Sequence, residues 1–170
     1  MSFEQALSFT LKEEGGYVDD PRDSGGATNR GITQAVYDAW RMEQALPSHG
    51  VKLLSEDEVQ RIYRERYWDA GHCGELPAAL GIVHFDWCVN HGIRGAVATL
   101  QETVGAIADG EWGPGTAAAA AKAGPDAGVR YDESRREWYR HRVIERPDQA
   151  GFLKGWLGRV DRLDKYVEGL

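Results

Sequence analysis

Three side chains near the N-terminus have the types and spacing of a hydrolytic site: Glu14, Asp23 nine positions on, and Thr28 five beyond that. Cleaving a glycosidic bond takes one carboxylic acid to protonate the leaving oxygen. It also takes a second carboxylate to activate water or to stabilise the oxocarbenium ion. The acid has to hold its proton near neutral pH, which apolar surroundings favour. The C-terminal end of a helix favours it too, because the helix dipole is negative there. Between Glu14 and Thr33 lie Gly15, Gly16, Gly25, Gly26 and Gly31, with Pro21. Glycines allow backbone to approach a sugar closely. Aspartate is also a common turn residue that bonds nearby N–H groups, so Asp19, Asp20 and Asp23 each have a plain structural use. Asp20 competes with Asp23 for the second carboxylate. Arg22 either shapes the loop or pairs with Asp19 or Asp20.

The elements around these groups read as helices. Phe3, Ala6, Leu7, Thr10 and Leu11 lie at helical spacing, and Gly15-Gly16 stops that helix. Residues 15–31 read as a loop or a short irregular hairpin. Thr33 caps a helix that carries Val36, Tyr37 and Trp40 and ends before Pro47. Ser55 and Glu58 form a capping box ahead of Val59, Ile62, Tyr63 and Tyr67. After Pro77, the run from Ala78 to Val89 is apolar nearly all round, which predicts a central buried helix. Asn90 and His91 end it, where they either line a cleft floor or cap the helix. Beyond it the pattern predicts a helix with Ala96, Val97, Leu100 and Val104 inward, then a turn-rich loop from Asp109 to Gly115. Thr116 is expected to cap the alanine run after that loop. A long helix with Tyr131, Trp138, Tyr139 and Val143 is broken by Pro147. The last helix carries a stripe of Leu153, Trp156, Leu157, Val160, Leu163 and Val167. The fold class is mainly α, with one helical region over 1–92 and a second over 93–170 packed into the same globule.

Composition narrows the function classes. The 170 residues are 42% hydrophobic and 28% charged, normal for a globular chain able to bury its own core. The net charge is −7, and residues 126–170 hold ten Lys/Arg against nine Asp/Glu, so the acidity sits in the rest. An acidic body argues against a nucleic-acid partner. No apolar stretch reaches the ~18 residues of a membrane span. No basic, then apolar leader is seen at the N-terminus. The two cysteines, Cys73 and Cys88, are too few for a disulfide framework and read as buried reduced thiols. Cys88-x-x-His91, with His84 and Asp86 nearby, has the residue types of a zinc peptidase or amidase. The chain lacks HExxH and any Cys-x-x-Cys pair, so no metal and no cofactor are expected.

The run Glu14-Gly15-Gly16-Tyr17, then Asp20-Pro21, Gly25-Gly26-Ala27-Thr28 and Gly31-Ile32-Thr33, resembles the signature of glycoside hydrolase family 108. The resemblance extends through Tyr67-Trp68, Asp86, Asn90-His91-Gly92 and Phe152–Leu157. It implies a lysozyme-like N-acetylmuramidase of the phage or prophage endolysin type, with Glu14 as general acid. The wider phage-lysozyme pattern of Glu, then Asp or Cys, then Thr is matched at Glu14 and Asp23. Thr28 comes one residue early, so the loop is remodelled. On this reading Asp23 and Thr28 hold the attacking water, which predicts inversion and carboxyls roughly 6.5–9.5 Å apart. Tyr17, Asp20, Arg22, Tyr67, Asn90 and His91 are the candidate sugar-binding residues, since rings stack on sugar faces. Trp68 is a further ring near the inferred cleft, and Tyr67 equally suits the core stripe with Tyr63.

Leu100-Gln101 and Asp109-Gly110-Glu111-Trp112-Gly113-Pro114-Gly115-Thr116 resemble the core of small peptidoglycan-binding modules. The implied partner is the peptidoglycan glycan strand, with the chain acting as a monomer without stable membrane insertion. Synthesis in the cytoplasm without a leader would call for a partner such as a holin, for action from outside after lysis, or for a cellular envelope role. The rival readings are a lytic transglycosylase cutting the same bond without water, and a non-catalytic wall-binding protein.

Overall fold

In the computed structural model, which describes residues 2–19 and 26–170, eight α-helices surround one apolar core. The first, α1 (Phe3–Glu13), is started by a Ser2 capping box and buries Phe3, Ala6, Leu7, Phe9 and Thr10. It ends one residue before the glycines, with Glu14 as its C-cap and the chain turning extended there. The expected hairpin follows. Strands β1 (Thr28–Asn29) and β2 (Ile32–Thr33) pair antiparallel through Thr28↔Thr33 and Asn29↔Ile32, and Val18 adds a bridge to Thr28. The two-residue connection, Arg30-Gly31, has φ of +50° and +76°. Two left-handed residues are what a tight hairpin turn matching the strand twist requires.

Thr33 caps α2 (Gln34–Glu43), its hydroxyl accepting from the Val36 N–H at 3.2 Å. The Ser55/Glu58 box opens α3 (Glu56–Tyr63), which then widens into a π-helical turn over Arg64–Asp69 carrying Tyr67 and Trp68. Pro77 precedes α4 (Ala78–His91), in which every residue from Leu80 to Cys88 is buried. This is the predicted central helix, and α1, α5 (Ile93–Val104), α7 (Ala127–Glu145) and α8 (Leu153–Glu168) all pack on it. Thr116 departs from expectation. Helix α6 (Pro114–Ala120) starts earlier, with Gly113 as N-cap and Pro114 in its first turn, which suits a residue lacking an N–H. Thr116 lies inside that helix, buried, with its hydroxyl oxygen 2.9 Å from the Gln101 amide nitrogen.

Helix α8 folds back onto α1. Tyr166 donates to the Gln5 carbonyl at 2.9 Å, and Arg162 pairs with Glu13 at 2.6 Å. The last helix thus runs along the first, from its first turn at Gln5 to the end that carries Glu14. No helix among the described residues is long and apolar enough to cross a membrane.

Candidate active site

Glu14 sits where α1 gives way to the glycine-rich segment, its side chain one-fifth exposed. Three surfaces hold it. The hairpin turn comes closest: a Cβ on Gly31 would meet the Glu14 Oε2 at 2.7 Å and the Tyr63 hydroxyl at 2.6 Å. Only glycine fits there, for its positive φ and for the close approach. Tyr63 fixes the turn by donating to the Arg30 carbonyl at 2.8 Å. On the ring side, Tyr63 is buried and half-buried Tyr67 lies 5.5 Å from it between centroids. Burial pushes both phenols up, and the negative charge of Glu14 adds to this. The third surface is a cation: Arg159 Nη1 lies 2.9 Å from Glu14 Oε1.

Arg159 leads inward to a buried charge network. Its Nη2 donates to Asp86 Oδ1 at 2.7 Å, and Arg135 Nη2 donates to Asp86 Oδ2 at 2.7 Å. Arg135 then bonds Asp132 at 2.7 Å and lies over the Trp87 ring. Asp86, Arg135 and Asp132 are entirely buried. A lone carboxylate at such a position would be far too costly to ionise. Burial does push Asp86 up, but the two guanidiniums outweigh it and hold the carboxyl below its usual range. Asp132, with one guanidinium and with Asp164 close by, is pushed up to about 7, chiefly by burial. A carboxylate in the middle of an apolar helix must recruit cations. That was the available signal for Arg135 and Arg159, and neither stood out by spacing.

The other sequence candidates fall in several places. Thr28 pairs through its backbone with Val18, each N–H···O 2.8 Å, and its hydroxyl donates to the Gly26 carbonyl at 3.3 Å. It therefore lies on the strand beside the Arg30-Gly31 turn that covers Glu14. Tyr17 is exposed, its hydroxyl donating to Asp19 at 3.2 Å and Lys52 lying over its ring. Asp20, Arg22 and Asp23 lie outside the described residues. Asn90 is exposed, and its side-chain amide donates back to the Asp86 carbonyl oxygen at 2.6 Å within α4. His91 is held by rings, stacked on Trp87 at 4.4 Å and edge-on to Trp138 at 4.3 Å; burial pushes its pKa down, and Arg142 and Arg135 add to this. Trp68 packs on Phe3 and Phe85 as core.

The residue types of Cys88-x-x-His91 with Asp86, weighed and set aside on sequence, do not converge. His91 is turned into the aromatic stack and Asp86 is taken by Arg135 and Arg159. The side chains that do meet are Cys73, His84 and Cys88.

In the second region, Gln101 organises the Asp109–Thr116 loop. Its amide nitrogen faces Asp109 Oδ1 at 2.8 Å, the Glu111 carbonyl at 3.0 Å and Thr116 Oγ1, and its carbonyl accepts from the Gly110 N–H at 2.8 Å. Gly110 has φ +74°, and a Cβ there would strike Arg94 at 2.7 Å. A surface hollow of about 380 Å³ opens beside this loop, lined by Gln101, Asp109, Glu111 and Thr116.

The fold is helical and lysozyme-like, and a glutamate one-fifth exposed ends its first helix, tucked under a glycine hairpin. The comparisons give the particular family. The model described as "Glycosyl hydrolase 108" matches residues 7–92, and that described as "Predicted Peptidoglycan domain" matches residues 95–161. The solved structure of Brucella abortus SagA is similar, with 34% identity and a TM-score of 0.81 over 98% of this chain and 94% of that one. No curated protein matches. The chain belongs to glycosyl hydrolase family 108 and is a glycosidase directed at peptidoglycan.

Proposed function

We propose that the chain hydrolyses the β-1,4 bond between N-acetylmuramic acid and N-acetylglucosamine, with Glu14 as the general acid. The observation that carries this reading is the placement of Glu14. It is the carboxyl that ends α1 at the surface, fixed between the Gly31 turn and Arg159 and open to solvent on its remaining side. Glu14 donates its proton to the bridging oxygen as the sugar–oxygen bond breaks. Asp23, with Thr28 on the adjoining strand, orients water onto the opposite face of the sugar. Arg159 acts through Glu14, holding the carboxyl in one rotamer while Asp86 anchors the guanidinium from behind. Tyr17 and Tyr67 offer ring faces to neighbouring sugars, and the loop around Gln101 grips the glycan strand further along.

The test is digestion of purified peptidoglycan by wild type and Glu14→Gln, with borohydride reduction and mass spectrometry of the products. Reducible muramic acid ends are expected, with release falling at least about 10²-fold in the variant, as for loss of a general acid. Unchanged thermal melting shows that Glu14→Gln is folded. Anhydro-muramic ends would instead identify a lytic transglycosylase and remove Asp23 from the mechanism. Near-normal release by Glu14→Gln would overturn its assignment.

A further inference from the structure

Cys73, His84 and Cys88 are all buried, at 1%, 0% and 0% exposure, and their donor atoms lie within 4.8 Å of one another. They come from two elements. His84 and Cys88 are one turn apart on α4, and Cys73 opens the short 3-10 turn Cys73–Glu75 that precedes it. Neither cysteine is in a disulfide.

The imidazole is aimed. His84 Nδ1 is 2.8 Å from the Tyr131 hydroxyl, and that hydroxyl also lies 3.0 Å from the Ala96 carbonyl. When Tyr131 donates to Ala96, Nδ1 keeps its hydrogen and Nε2 presents a lone pair. Nε2 points at Cys88 Sγ, 3.5 Å away, and at the Gly71 carbonyl oxygen, 3.0 Å away. A tetrahedral zinc with Zn–S of about 2.3 Å and Zn–N of about 2.0 Å sets sulfur and nitrogen about 3.5 Å apart. The backbone is shaped to the sulfurs as well. A Cβ on Gly71 would meet Cys88 Sγ at 2.8 Å and Cys73 Sγ at 3.2 Å.

We propose that Cys73, His84 and Cys88, with the Gly71 carbonyl as fourth donor, form a structural site for a zinc ion. Two thiolates and one imidazole are a soft donor set that favours zinc over magnesium or calcium. Binding releases the two thiol protons and places the cation where Nε2 and the Gly71 carbonyl converge; no electron moves. Two thiolate charges balance the dication, so the loaded site is neutral and tolerable in an apolar core. Tyr131 supplies the outer hydrogen bond that ligating histidines usually have. The ion ties the Gly71–Glu75 segment to one face of α4, while Asp86, two residues from each of His84 and Cys88, looks out from the other.

The experiment is metal analysis of the full chain, purified reduced, incubated with Zn²⁺ and desalted, with a parallel sample loaded with Co²⁺. About one metal per chain is expected, together with a thiolate-to-cobalt charge-transfer band and a melting temperature raised by Zn²⁺ and lowered by a chelator. Cys73→Ser and Cys88→Ser should each lose the band, while Glu14→Gln keeps it. Should Cys88→Ser not fold, Cys73→Ser on the turn and chelator competition against wild type still decide the matter. Wild type whose two thiols titrate as free but which takes up neither metal would overturn the site. So would a chain two hydrogens lighter, oxidised to a Cys73–Cys88 disulfide and free of metal.

Discussion

The polar networks around Asp86 and around Gln101 end differently. The one around Asp86 is charged. It runs from Asp132 through Arg135, Asp86 and Arg159 and comes out at the surface on Glu14. The one around Gln101 is centred on an uncharged amide and closes on itself, spending it on Asp109, Gly110, Glu111 and Thr116 within a single loop. An open chain of buried charges fixes the orientation and field at its exposed end. A closed set of bonds around an uncharged amide fixes only the shape of the loop around it. On the proposed function, chemistry belongs to the first and the second presents a surface.

The largest expected effect comes from cutting the charged network at its centre. Asp86→Ala leaves two buried guanidiniums without their shared carboxylate. Breaking a buried pair in this way costs about 3–5 kcal/mol. Denaturant unfolding should show the loss in its midpoint, and an unaltered midpoint would mean that Asp86 is not the keystone. Cutting nearer the exposed end should shift the effect from stability to activity. Arg159→Lys keeps a cation but loses the fork that spans Glu14 and Asp86. A fall of about tenfold to hundredfold in kcat, with KM little changed, is expected from a misplaced acid. A KM effect alone would make Arg159 a sugar-binding residue.

On the closed network the expected loss is smaller. Gln101→Ala leaves the Gly110 N–H and the Thr116 hydroxyl without their shared partner, at a cost of about 1–3 kcal/mol. Release of muramic acid ends from soluble glycan fragments should be unchanged, with any loss confined to binding of intact wall. Equal loss on both substrates would mean that the two networks are coupled.

Much of this was legible in the sequence because it follows local rules. Thr33 and Ser55 cap helices for the reason capping residues do, and α4 is central because its apolar residues go all round. That Glu14 ends the first helix was legible from the glycines after it. Its clamp was not, since Arg159 lies 145 positions away and nothing local marks one arginine of a charged helix as the buried one. The same holds for Cys73. Sequence neighbours drew attention to Cys88 and His91, yet side chains three apart on a helix need not converge when one of them has two tryptophan rings to pack against. Thr116 looked like a cap because threonine usually is one, but Pro114 begins that helix three residues sooner and frees the hydroxyl for Gln101.

The smallest effect expected is a slope, and it separates the inner end of the charged network from its centre. Asp132 has its carboxyl pushed up to about 7 by burial, with Asp164 adding to the rise and Arg135 opposing it. In the unfolded chain an aspartate titrates near 3.9. Between these values the folded protein keeps a proton that the unfolded chain has lost. The stability this group contributes is therefore fully present below about pH 4 and is lost as the pH rises towards about 7. Asp86 behaves oppositely: held below its usual range by Arg135 and Arg159, its contribution is present above that range and lost as the solution becomes more acid. Asp132→Asn keeps an oxygen for Arg135 and removes the proton uptake. Thermal midpoints from pH 4 to 7 should then decline less steeply in the variant than in wild type, with the acid-side loss due to Asp86 intact. Parallel curves would mean that Asp132 is already ionised across this range and that Arg135, not burial, governs its charge.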